Sequence, residues 1–139
     1  MIRVAQVANL RHIILKIHMF KETLQTIVER TDGSLGALIM GVDGLSVEKF
    51  FTDEGSAANL DVAAAELTSL IRSANRSGKD LNLGELHELV VAHEKATFVM
   101  RFLSKDYFAV LALAPEGNVG RGRYELRKAE LTLAKEFAV

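Results

Sequence analysis

The chain predicts an α/β (α+β) fold: a three-layer sandwich, with helices on both faces of a single five-stranded antiparallel sheet, in the order α-β-β-α-β-β-β-α. Three observations predict it. Residues 38–42 (LIMGV) and 107–114 (YFAVLALA) are apolar on both sides of a would-be strand, so layers must cover both faces of their sheet. Other stretches repeat apolar residues at three- and four-residue steps, as amphipathic helices do. No repeat, low-complexity tract or linker divides the 139 residues, a length that makes one domain with a sizeable core.

The elements follow in order. Residues 1–18 are a basic, apolar extension with Arg3, Arg11 and Lys16 and no acid, a net +3; the remaining 121 residues hold 14 bases and 18 acids, a net −4. Val7, Leu10, Ile14, Ile17, Leu24 and Val28 recur at helical steps, so the extension reads as the first half of a long helix. Two other readings stand beside it: a presequence, although no small-residue cleavage site is seen, or an extension ahead of a start at Met19. The domain proper is then 19–139. Its first helix buries Phe20, Leu24, Ile27 and Val28 and stops at Gly33.

Three glycines in residues 36–44 pose the choice between a phosphate loop and a turn. Asp43-Gly44 is a two-residue hairpin signal of type I′, which joins residues 38–42 to a weaker strand with Leu45, Val47, Phe50 and Phe51 and the edge charges Glu48 and Lys49. A polar loop over 52–59 leads to Asp61 as N-cap of the second helix, with Ala64, Leu67, Leu70, Ile71 and Ala74 on its buried stripe and Ser77-Gly78 as its end. Strands are expected over 83–93, around Phe98, Met100 and Phe102, and over 107–114, closed by Pro115. Leu126, Ala129, Leu133 and Phe137 mark an amphipathic last helix from Gly120 onward.

The chemical motifs are mostly exclusions. The formal net charge of −1 gives no general attraction to nucleic acid or to an anionic membrane, and neither is expected as a partner. The absence of cysteine removes disulfides, thiolate metal sites and a thiol nucleophile, and suits a cytoplasmic location. Gly78-Lys79 is followed by Asp80 and lacks the earlier glycine of a Walker loop, and the glycines at 36, 41 and 44 lead into a strand, so the stretch is a hairpin. The corner GNVGRGRYELRK at 117–128 enters a helix with Arg121 and Arg123, which leaves anion binding open there, but its glycine spacing is not that of a dinucleotide site. His87 and His93 stand ~20 Å apart on one strand, too far to share a metal. The carboxylates Glu85, Glu88 and Glu94 read as a solvated strand face. No catalytic residue, cofactor site or metal site emerges, so the chain reads as a binding module, not an enzyme.

TDGSLGALIMGVDGLSVEKF, the small-residue helix after it and NVGRGRYELRK resemble the roadblock/dynein light-chain superfamily, in particular its bacterial MglB-type branch. The matching signals are the hairpin of residues 36–47 and the entry to the last helix at Gly120, Arg123 and Leu126, and the likeness covers roughly residues 19–137. The resemblance implies a homodimer joined through third-strand edges and second helices, with Leu67, Leu70, Leu86, Leu89 and Val91 as candidate interface residues. It also implies a small Ras-like GTPase of the MglA kind as partner, with GTP hydrolysis promoted without a donated catalytic arginine, in cell polarity and gliding motility. The face of the second helix away from its apolar stripe, Glu66, Ser69, Arg72, Ser73 and Arg76, is the candidate GTPase-binding surface. If an arginine did act in trans, Arg72, Arg76 and Arg121 are the candidates. The alternatives are a dimeric scaffold with no effect on hydrolysis, and a small-anion binder using the 117–123 corner.

Overall fold

The computed structural model describes residues 3–137. Its elements are α1 (Val4–Arg30), β1 (Ser34–Gly41), β2 (Ser46–Phe51), α2 (Asp53–Ala57), α3 (Leu60–Asp80), β3 (Glu88–Ala92), β4 (Thr97–Phe102), β5 (Tyr107–Leu113) and α4 (Val119–Phe137). The five strands form one antiparallel sheet in the order β2-β1-β5-β4-β3. β1 and β5 lie at its centre and are buried on both faces, as their unbroken apolar runs require.

Alternation along these two strands divides the core. Ile39, Ala109, Leu111 and Leu113 point to one side, where Leu24, Ile27 and Val28 of α1 and Leu126, Ala129 and Leu133 of α4 close over them. Leu38, Met40, Phe108 and Val110 point to the other, against Leu60, Ala64, Leu67 and Ile71 of α3. Each fully buried Leu, Ile or Phe contributes roughly 1.5–3 kcal/mol, so both helical layers are bound by the same central strands.

Five local expectations differ from the structure. The 36–51 hairpin is present, but it is not a type I′ turn. Gly44 alone takes positive φ (+87°) and Asp43 does not. The Gly44 amide donates to Gly41 O at 3.0 Å and the Gly41 amide to Leu45 O at 2.9 Å, a three-residue connection with a left-handed glycine and a register shift beside it. The Asp43 carboxylate accepts the Leu45 amide at 3.1 Å, which holds the turn without a second left-handed residue.

The polar stretch 52–59 contains the short helix α2. Thr52 caps it, accepting the Gly55 amide at 3.1 Å and donating to Leu35 O at 2.9 Å. α2 lies so close to β1 that a Cβ at Gly55 would stand 1.9 Å from Leu35 O, so only glycine fits there.

Asp61 is not the cap of α3. The helix starts at Leu60 after Asn59 in the left-handed region, and Asp61 in its first turn takes the Lys49 ammonium instead. Nor does α3 stop at Ser77-Gly78. It continues to Asp80 and closes on Asn82 (φ +59°), with the Leu83 amide on Gly78 O at 2.7 Å and the Asn82 amide on Lys79 O at 3.1 Å, a Schellman motif. That closure and Gly84 (φ +86°) use up residues 81–84, so β3 is confined to Glu88–Ala92 where a strand over 83–93 was expected.

Candidate partner-binding surface

β3 ends the sheet. It pairs with β4 on one side and, among the described residues, with no other strand. Its sequence, ELVVA, has a single charge, and that charge is taken up: Arg123 of α4 donates through Nε and Nη2 to the two Glu88 carboxylate oxygens, both at 2.9 Å. The guanidinium holds the Glu88 carboxyl below its ordinary value of 4.5, outweighing the opposing effect of burial, with smaller help from Arg101 and Arg127. A second pair, Arg101 to Glu130, ties β4 to the same helix. α4 therefore fixes β3 from one face, while Leu89 and Val91 pack half-buried toward the α3 layer and Val90 stays 41% exposed.

α3 flanks this edge. Asn75 Oδ1 accepts the Leu86 amide at 3.3 Å and so joins the helix to the segment entering β3. The five predicted contact residues, Glu66, Ser69, Arg72, Ser73 and Arg76, are all exposed and share roughly one-third of the helix circumference, at about 100° per residue. Among the described residues neither Arg72 nor Arg76 enters an ion pair. Ser69 donates back to Glu66 O at 3.3 Å.

The candidate dimer residues divide. Leu70 is 48% exposed beside the polar face, and Leu86, Leu89 and Val91 are half-buried at the strand edge. Leu67 lies within the chain's own core, against the sheet, and is not available to a partner. The structure adds apolar members that sequence reading missed: Val62 on α3, and Leu81 and Leu83 in the segment after it, all exposed. The sequence reading leaves Leu81 in the turn after the helix and Leu83 at the start of an overlong strand. A left-handed Asn82 between two leucines was the signal that they flank a chain reversal.

The other predicted site does not assemble. At the 117–123 corner the Asn118 side chain accepts the Arg121 amide at 3.0 Å, occupying the helix N-terminus that an anion would use. Arg121 is held by the buried Glu125 at 2.8 Å, and Arg123 by Glu88. Among the described residues no group of His, Asp or Glu is placed to hold a metal.

Solved structures with the same architecture place the chain. A Roadblock/LC7 domain from Streptomyces avermitilis superposes with TM-score 0.73 at 17% identity, over 84% of this chain and 96% of that one. MglC from Myxococcus xanthus matches at 37% identity and TM-score 0.66, over 84% of this chain and 98% of that one. The chain belongs to the roadblock family.

A third roadblock-like match is the gliding protein MglB from Thermus thermophilus, with TM-score 0.78 at 18% identity, over 88% of this chain and 93% of that one. The MglB fold is thus shared, while more of the sequence is held in common with MglC. No family model and no curated protein matches the chain. In this roadblock domain the surface formed by α3 and β3 has an exposed arginine pair, an apolar rim and an unpaired strand edge together.

Proposed function

We propose that this roadblock protein is a homodimeric, non-catalytic regulator of a small Ras-like GTPase of the MglA type. Two protomers join through their β3 edges and α3 helices, and the paired helices present Glu66, Ser69, Arg72, Ser73 and Arg76 to the GTPase. The observation that carries the reading is the adjacency of the unpaired apolar β3 edge to an exposed helix face with two arginines outside any described ion pair. An apolar edge strand invites another strand, and arginine is enriched where interfaces are strongest. Binding to the GTP-loaded partner speeds hydrolysis by reordering the GTPase's own groups, in a cytoplasmic pathway of cell polarity or motility. Among the described residues no helix is long and apolar enough to cross a membrane.

Single-turnover GTP hydrolysis by the MglA-like GTPase of the same genome, with and without this protein, tests the reading. Faster hydrolysis, lost in the Arg72→Ala/Arg76→Ala variant, supports it. Association at an unchanged rate moves the protein to a scaffold. No association in either nucleotide state removes the GTPase as its partner.

A further inference from the structure

The N-terminal half of α1 is an apolar surface left exposed among the described residues. The helix leaves the domain at Phe20, whose ring stacks on Phe137 at 5.1 Å, and among the described residues the ion pair nearest its N-terminus is Lys16 to Glu136 at 3.5 Å. Since α4 ends there, residues 4–15 project over about 18 Å at the helical rise per residue. Val7, Leu10, Ile14 and Ile17 continue the line of Leu24 and Val28, but they are exposed where those two are buried.

Two properties select the surface that covers this half. The first is charge. From Arg3 to Lys21 there is no acid, and Arg3 and Arg11 enter no ion pair among the described residues. The second is the width of the apolar arc. Val4 and Leu15, 87% and 67% exposed, lie outside the seam of Val7, Leu10, Ile14 and Ile17, with Arg11 between the two groups, so the arc from Ile17 to Leu15 spans roughly 160°. A second copy of the helix would cover only the narrower seam, leave Val4 and Leu15 in water and set two acid-free helices side by side. A lipid interface accepts the whole arc, and arginines within it extend to headgroup phosphates while their stems stay in apolar surroundings.

We propose that the N-terminal half of α1 lies in the headgroup layer of an anionic lipid bilayer and holds the domain at that surface. The net charge of −1 argued against such a partner only because it averages a +3 helix with a −4 domain. Leu10 and Ile17 continue the core face of α1, while Val4, Arg11 and Leu15 lie roughly opposite it, so the arc is open to a flat surface along residues 4–15, beyond the stack of Phe20 on Phe137.

The test is co-sedimentation of the full chain with vesicles of equimolar phosphatidylserine and phosphatidylcholine, against phosphatidylcholine alone. The expected result is binding to the anionic vesicles only, weakened by salt. Arg3→Gln and Arg11→Gln each lower it about fivefold, and Leu10→Gln/Ile14→Gln abolishes it with thermal unfolding of the domain unchanged. Leu15→Gln also weakens binding, which pairing of helices through the seam would not predict. Equal binding to neutral vesicles, or none to anionic ones, overturns the proposal. So does a fall in solution mass caused by Ile14→Gln but not by Leu15→Gln, which assigns the surface to a second copy.

Discussion

β2 and β3 end the same sheet and are treated in opposite ways. β2 carries the polar residues Ser46, Glu48 and Lys49, is buttressed by α2 through the close approach of Gly55 to β1, and has Lys49 drawn across to Asp61 of α3. β3 is a row of small and branched apolar residues whose one carboxylate is turned inward to Arg123. Edge strands are ordinarily blunted by charge or cover, because open backbone groups template association with other chains. One end of this sheet follows that rule. The other withholds its only charge from the edge, the feature on which the proposed dimer rests.

Four variants break or sharpen that contrast, from the largest effect to the smallest. Gly55→Ala forces a methyl group into Leu35 O and lifts α2 from the closed edge, costing about 3 kcal/mol as overpacking does; thermal or urea unfolding reads it. At the open edge, Val90→Lys with Leu70→Glu weakens self-association by about 2 kcal/mol, a roughly thirtyfold rise in the dissociation constant. Light scattering across a dilution series measures it. Glu88→Gln replaces the ion pair with Arg123 by a neutral hydrogen bond and lowers stability only slightly at neutral pH, because the pair is open to solvent. Since the folded protein holds the Glu88 carboxyl below 4.5, the stability it supplies is present above that pH and is lost as pH falls through the lower, folded-state value. Unfolding midpoints across this window lose that part of their slope in the variant. Val47→Lys, on the exposed side of β2, changes stability by under about 0.5 kcal/mol and leaves the dimer intact.

How much of this was written in the sequence depends on the kind of feature. Strands β1 and β5 were legible because runs such as ALIM and AVLALA have only one comfortable environment, a sheet covered on both faces. The helical stripes were legible for the same reason, including the continuation of α1 through residues 4–18, where Val7 to Ile17 keep the step of Leu24 and Val28. The boundaries were not, because they depend on single backbone states. Asn82 and not Gly78 closes α3, and that choice rests on which residue turns left-handed after the last helical turn. The α2 helix was hidden because its stability comes from Thr52 and from contact with Leu35 O, across 17 residues of chain.

The site shows the same division. Glu66, Ser69, Arg72, Ser73 and Arg76 follow from helical periodicity alone, and the structure finds all five exposed. That Leu67 turns into the core while Leu70 stays at the surface depends on how α3 is rotated against the sheet, which spacing of leucines does not fix. The engagement of Arg123 by Glu88, 35 residues away, required the packing of α4 over β3.

The most direct measurement is amide hydrogen exchange on the protein, with and without the GTP-loaded Ras-like GTPase. The account predicts added protection over residues 66–76 of α3, with β2 unchanged and β3 already slow before the GTPase is added. Protection confined to β2 and α2, or fast exchange along β3 in the free protein, would contradict it.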